Sequence, residues 1–226
     1  MPSSQVGSKS IDLAPLFPHC AFDLVVMGAS AGGIEAIRHV LQILPPTFPV
    51  PIAIVQHVAP FKSSVLAQVL GHKSRLPVNF AQHGERLRAG TVYVAKPNQH
   101  LVISPDRRFA LTDLARVNYA RPAVDSLFET ASAAFGARLM AVVFTGMGRD
   151  GAKGASAVKA RRGTVLAQDQ QSAWAYSMPE ATIRTGSVDL ILPLRSIANA
   201  LIALVAVPGG MRFIGLSCKE PLPAAA

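Results

Sequence analysis

Cysteine is almost absent. Among 226 residues only Cys20 and Cys218 carry a thiol, near opposite ends of the chain. Neither sits in a zinc-type spacing, and two distant thiols make no disulfide framework, so a reducing compartment is expected. Long apolar runs are missing too. The longest one near the C-terminus, 201–208, is too short to span a bilayer. The first twenty residues lack a secretory signal's apolar core, so a cytoplasmic location without membrane insertion is expected. Acidic side chains are few: 13 against 22 basic ones, a net charge of +9. That balance suits an acidic partner surface, or a basic protein with no charged partner at all. Internal repeats are absent as well.

Apolar residues make up 50% of the chain, enough for a sizeable core in one α/β domain or two small ones. Residues 1–20 are polar and broken by prolines, and read as a flexible N-terminal tail. From residue 21 to 207 strand-like and helix-like segments alternate. The Gly/Pro-rich stretch 208–226 reads as a loose C-terminal tail. Apolar strands are expected at 24–27, 51–55, 139–144, 164–168 and 190–194. Ile34, Ile37, Leu41 and Leu44 recur at helical spacing, and Pro45-Pro46 ends that helix. A second helix is expected from Val65, Leu66, Val69 and Leu70, closed by Gly71. Short runs at 78–82, 91–95, 100–104 and 109–113, separated by turn signals, predict an antiparallel insertion or sheet extension. Further helices are expected from Arg121-Pro122, over 152–160, near Pro179 and over 196–205. Solid apolar strands alternating with helices imply an α/β fold: a doubly wound, mostly parallel sheet covered on both faces, with an antiparallel hairpin extension. In such sheets chemistry collects past the carboxyl ends of the strands.

Gly28-Ala29-Ser30-Ala31-Gly32-Gly33 follows the first strand and opens the first helix. The frame Gly28-x-Ser30-x-Gly32 is that of a nucleophile elbow, which makes Ser30 a candidate nucleophile. A serine needs a base, and the base needs an orienting acid. Of six histidines only His57 lies just past a core strand. The same rule selects Asp150, in the loop Thr145-Gly146-Met147-Gly148-Arg149-Asp150-Gly151, and also admits Asp169; it passes over Asp23, Asp106, Asp113 and Asp125. For the oxyanion, the Ala31 amide is one donor expected at the helix start and the Met147 amide a second. A competing pattern overlaps this one. Gly146-x-Gly148-x-x-Gly151 is a literal dinucleotide fingerprint, with Asp169 placed to hold a ribose. A carboxylate at Asp150 beside a pyrophosphate argues against it.

The chain resembles the catalytic domain of the chemotaxis protein-glutamate methylesterases, the CheB family. The resemblance rests on the serine motif, on Gln56-His57, on Arg121-Pro122-Ala123-Val124-Asp125, on the 145–151 loop, and on Ala167-Gln168-Asp169 with Ser172 and Met178-Pro179-Glu180-Ala181. It implies a three-layer α/β/α domain and a Ser30-His57-Asp150 triad. It further implies hydrolysis of γ-glutamyl methyl esters, or deamidation of glutamines, with no metal or organic cofactor. The implied partner is the acidic helical bundle of a methyl-accepting chemoreceptor's cytoplasmic domain, with no nucleic acid. Three departures stand out. Ala31 replaces the threonine common in the family, and Val58-Ala59-Pro60-Phe61-Lys62 replaces its usual sequence after the histidine. Twenty residues before the first strand are too few for a receiver domain, so gating by aspartyl phosphorylation is not expected. The altered loop also leaves room for a receptor-docking protein without turnover.

Overall fold

The structure, a computed structural model, describes residues 16–17, 19–58 and 65–206. Its elements run β1 (Leu24–Ala29), α1 (Gly33–Ile43), β2 (Ile52–Gln56), α2 (Leu66–Gly71), β3 (Val78–Phe80), β4 (Val92–Val94), β5 (His100–Ile103) and β6 (Phe109–Thr112). Then follow α3 (Val124–Phe135), β7 (Leu139–Val143), α4 (Ala152–Ala160), β8 (Thr164–Gln168), α5 (Ser177–Arg184), β9 (Leu190–Leu192) and α6 (Leu194–Ala206). Seven strands form one sheet in the order β3-β4-β2-β1-β7-β8-β9. Every pairing in it is parallel.

The alternation of side chains along the strands builds three layers. Val25, Met27, Ile52, Ile54, Met140 and Val142 face one way and join the apolar positions of α1, α2 and α6. Leu24, Val26, Ala53, Val55, Ala141 and Val143 face the other way and pack with α3, α4 and α5. Strands buried on both faces explain why β1, β7 and β2 up to Val55 read as unbroken apolar runs. In α1 the expected stripe holds: Ile37, Leu41 and Leu44 are fully buried, and Ile34 is half-buried. In α2 it holds only in part. Leu66 and Leu70 are buried, whereas Val65 and Val69 remain exposed.

The middle of the chain departs from expectation. β3 and β4 are not hairpin strands. They extend the main sheet, β4 pairing in parallel with both β2 and β3. Among the described strands only β5 and β6 are antiparallel, and they form a separate two-stranded sheet whose β5 packs on α3. Short apolar runs between turns do not encode strand direction; the partner decides it. Here the fully buried β4 finds two parallel neighbours.

Part of the expected N-terminal tail is tied down. Cys20 is buried, and the Arg138 guanidinium donates to the carbonyls of Phe17 and Cys20 and to Asp23 Oδ1. Asp23 is fully buried and also accepts from the Phe17 amide at 2.9 Å. The remaining tail positions, 1–15, 18 and 207–226, lie outside the described residues, as do Ala59 to Lys62 of the altered loop.

One close approach positions everything that follows. A Cβ on Gly28 would sit 2.3 Å from Val124 Cγ1. The missing side chain lets the start of α3 rest against the end of β1.

Candidate active site

From β1 the chain crosses outward to β2, and it later returns to add β7 on the opposite side of β1. The order reverses between β1 and β7, so the loops leaving their carboxyl ends diverge and leave a crevice. Ser30 leaves β1, His57 leaves β2, and the 145–151 loop leaves β7. Ala29 pairs with Gln56 in the parallel register, and the His57 amide donates to the Ala29 carbonyl at 2.9 Å. Ser30 and His57 are therefore the next positions on neighbouring strands. The Gln56 amide locks them together by donating to the Ser30 carbonyl at 2.7 Å and the His57 carbonyl at 2.9 Å.

His57 Nε2 lies 2.8 Å from Asp150 Oδ2. The imidazole is half-buried, and Asp150 is only 2% exposed. Asp150 Oδ2 also accepts the Val124 amide at 2.7 Å, and Oδ1 accepts the Asp125 amide at 3.0 Å and the Asn118 side-chain amide at 3.1 Å. Burial opposes ionisation of this carboxyl. The hydrogen bonds from His57, Asp125 and Val124, with the adjacent His57 charge, outweigh it and hold the group below the usual carboxylate range. An ionised Asp150 fixes the proton of neutral His57 on Nε2 and leaves the Nδ1 lone pair unprotonated.

The Asp150 carboxylate is also the missing N-terminal cap of α3, whose own cap position, Ala123, supplies no side chain. The relation is reciprocal. Asp125, in the first turn of α3, accepts the Gly151 amide at 2.9 Å and the Gly154 amide at 2.7 Å and so caps α4. Asn118 spans both carboxylates, donating to Asp125 Oδ2 at 2.8 Å as well. It sits in a two-residue turn closed by Val117 and Ala120, with Asn118 at φ 50° and Tyr119 at φ 62°. Asparagine tolerates that conformation; for tyrosine it costs on the order of 1–3 kcal/mol. Burial pushes the Asp125 carboxyl up, the Gly154 hydrogen bond opposes this, and the Asp150 charge adds to the rise.

These shifts set the acid response. Asp150 and Asp23 both have lowered values in the folded protein; for Asp23 burial is outweighed by its bonds to Arg138 and the Phe17 amide. Their stabilisation is present above the unfolded value of about 3.9 and is lost as pH falls through the lower folded values. Asp125 has the opposite sign, since its folded value is raised. Acidification towards pH ~4 therefore relieves Asp125 before Asp23 and Asp150 begin to fail. Thermal unfolding followed against pH is expected to show no acid loss until below about pH 4, then a steep one. A melting temperature already falling steadily between pH 7 and 5 would contradict this assignment.

The Ser30 amide donates to the Thr145 carbonyl at 3.1 Å, so the elbow is fastened to the loop after β7. A Cβ on Gly146 would lie 2.9 Å from Ser30 Cβ and 2.2 Å from Met178 Sδ, which keeps this position bare. The Ser30 hydroxyl makes no hydrogen bond with any described residue, and neither the Ala31 nor the Met147 amide donates to any described group. The two amides are available to an incoming oxygen.

The dinucleotide pattern finds no comparable support. The α4 amides that would hold a pyrophosphate already carry Asp125, and Asp150 of the fingerprint is buried against His57. Asp169 is engaged locally, accepting the Ser172 amide at 2.9 Å and its hydroxyl at 2.6 Å.

Asn118 and Asp125 escaped the strand-end rule because they reach the crevice from the far side, through α3 and the turn before it. A helix opening with no capping side chain at Ala123 was the one signal in the sequence that a partner carboxylate must come from elsewhere.

The fold and crevice define a class: doubly wound α/β domains with a serine elbow and a histidine–carboxylate pair at the switch point. Residues 25–201 match the family model described as CheB methylesterase, and the chain belongs to that family. A protein-glutamate methylesterase/protein-glutamine glutaminase of Anaeromyxobacter dehalogenans is 44% identical over 179 residues, covering 79% of this chain and 52% of that protein. This chain thus spans about half the length of that relative. A Leptospira interrogans relative, 38% identical over 183 residues, is covered over 95% of its own length. The crystal structure of the Thermotoga maritima CheB methylesterase catalytic domain superposes with a TM-score of 0.78 at 37% identity, covering 81% of this chain and 99% of that one.

Proposed function

We propose that this chain is a serine esterase that removes methyl groups from γ-glutamyl methyl esters of a chemoreceptor-type protein, and that Ser30, His57 and Asp150 do the chemistry. The observation that carries the reading is the 2.8 Å pair between His57 Nε2 and a fully satisfied Asp150, at the strand end beside Ser30. His57 Nδ1 takes the Ser30 proton as Oγ attacks the ester carbonyl. The oxyanion accepts the Ala31 and Met147 amides, an arrangement in which one donor is typically worth about 10²–10³ in turnover. His57 then protonates departing methanol, and a water deprotonated by His57 cleaves the acyl-enzyme to free glutamate. With a glutamine side chain the same steps release ammonia. Side chains and amides supply every group in this sequence, and it calls on no cofactor.

The named activities of the relatives support the substrate class. Another relative, 37% identical over 190 residues, is the protein-glutamate methylesterase FrzG of Myxococcus xanthus. A cytoplasmic setting, with an acidic receptor helix bundle as partner for a chain of net charge +9, fits the same reading. Among the described residues no helix is long and apolar enough to cross a membrane. Incubation with a fluorophosphonate followed by peptide mass mapping is expected to place the adduct on Ser30, and the labelling rate is expected to collapse in His57→Ala. Labelling elsewhere, or none, would remove Ser30 from the mechanism.

A further inference from the structure

A cavity of about 280 Å³ opens directly beside His57, and Arg116, Asn118, Tyr119 and Arg121 line it. Among the described residues no carboxylate lines it. Arg116 is exposed and makes no hydrogen bond or ion pair with any described residue. Arg121 spends its N–H groups on neutral oxygens: Asn98 Oδ1 from Nε and Nη2, and the Asp113 and Leu114 carbonyls from Nη1. Four bonds leave one of its five donors unused and its charge unneutralised. The two nearest buried carboxylates are already committed, Asp150 to His57 and α3, Asp125 to α4. Tyr119, 97% exposed at the tip of the turn, forms an aromatic wall at the same cavity.

A glutamyl methyl ester is neutral and gives two guanidinium groups nothing to pair with. We propose that this cavity is an anion subsite that takes a carboxylate neighbouring the scissile ester, with Arg116 as its main ligand and Arg121 as a fixed positive wall. The assignment rests on the esterase reading above and deepens it by naming what the substrate must carry next to the reacting group. Arg116 is the selective element because its whole fork is free, and a free guanidinium binds a carboxylate through two parallel bonds. Arg121 is held by the loop it braces and contributes its field.

Two peptides of equal length are the probes. Each carries one γ-methyl glutamate; the adjacent residue is glutamate in one and glutamine in the other. The glutamate peptide is expected to be hydrolysed with about tenfold higher kcat/KM, the gain lying in KM and shrinking as salt is raised, since an exposed pair is screened. In Arg116→Gln the ratio between the peptides is expected to fall to near one. In Arg116→Lys it is expected to be intermediate, because a point charge remains without the fork. In Arg116→Glu the preference is expected to invert. Equal handling of both peptides by the wild-type enzyme, or an undiminished ratio in Arg116→Gln, would overturn the subsite while leaving the esterase standing. Absence of turnover on both peptides, with Ser30 unlabelled by fluorophosphonate, would overturn the esterase reading and the subsite with it.

Discussion

Ser30→Ala is expected to lower methanol release from a γ-methyl-glutamyl peptide by about 10⁴-fold or more, as loss of the nucleophile does in triad enzymes. The residue sits where β1 ends, its amide bonded to Thr145 and its carbonyl held by Gln56. None of those contacts uses the hydroxyl, which makes no hydrogen bond with any described residue. Removing it should therefore leave the melting temperature almost unchanged, a stability effect within about 0.5 kcal/mol. On the proposed mechanism, what survives is the catalysis that the Ala31 and Met147 amides give to a water. Turnover within tenfold of the wild type would exclude the covalent route.

Asp150→Asn is expected to damage both rate and stability, and the geometry separates the two. The carboxylate accepts four hydrogen bonds, from His57, Val124, Asp125 and Asn118. A carboxamide has one oxygen, so one edge of the group must turn an NH₂ towards amide donors. If that edge is the one facing Val124, His57 loses its acceptor and takes the opposite tautomer, with a proton on the nitrogen that the proposed mechanism uses to receive one from Ser30. A kcat loss of about 10⁴ follows, with KM little changed. If it is the other edge, the Asp125 and Asn118 donors go unpaired. In both cases a buried unsatisfied donor costs about 1–3 kcal/mol, which thermal unfolding would register. A variant with full stability and full activity would show that the buried carboxylate neither orients His57 nor caps α3.

Much of the molecule was readable before any coordinates. Apolar runs buried on both faces announced a parallel sheet, and β1, β2, β7 and β8 fall where those runs fall. The rule that chemistry collects past carboxyl ends picked out Ser30, His57 and Asp150 as candidates, because that rule needs only strand positions. What it could not supply was direction and partner. The runs at 78–82 and 91–95 look like hairpin strands in sequence, yet the strands they form, β3 and β4, both lie parallel in the main sheet. Val65 and Val69 fit a helical stripe but stay exposed, since a helix as short as α2 buries only what its single neighbouring surface covers. Asp125, which does not lie past a strand's carboxyl end, is the partner of Asp150 in a reciprocal cap.

Local pattern alone established the α/β rhythm, the elbow around Ser30 and the candidate base and acid, because periodicity and turn chemistry act over a few residues. Only the folded chain decided that an imidazole and a carboxylate 93 positions apart meet at 2.8 Å, that α3 and α4 exchange caps, and that two arginines with no carboxylate partner among the described residues stand beside them. Those outcomes depend on which strands become neighbours and how closely α3 can approach β1. Such choices are made by packing across the whole sheet, where distant segments compete for the same buried surface.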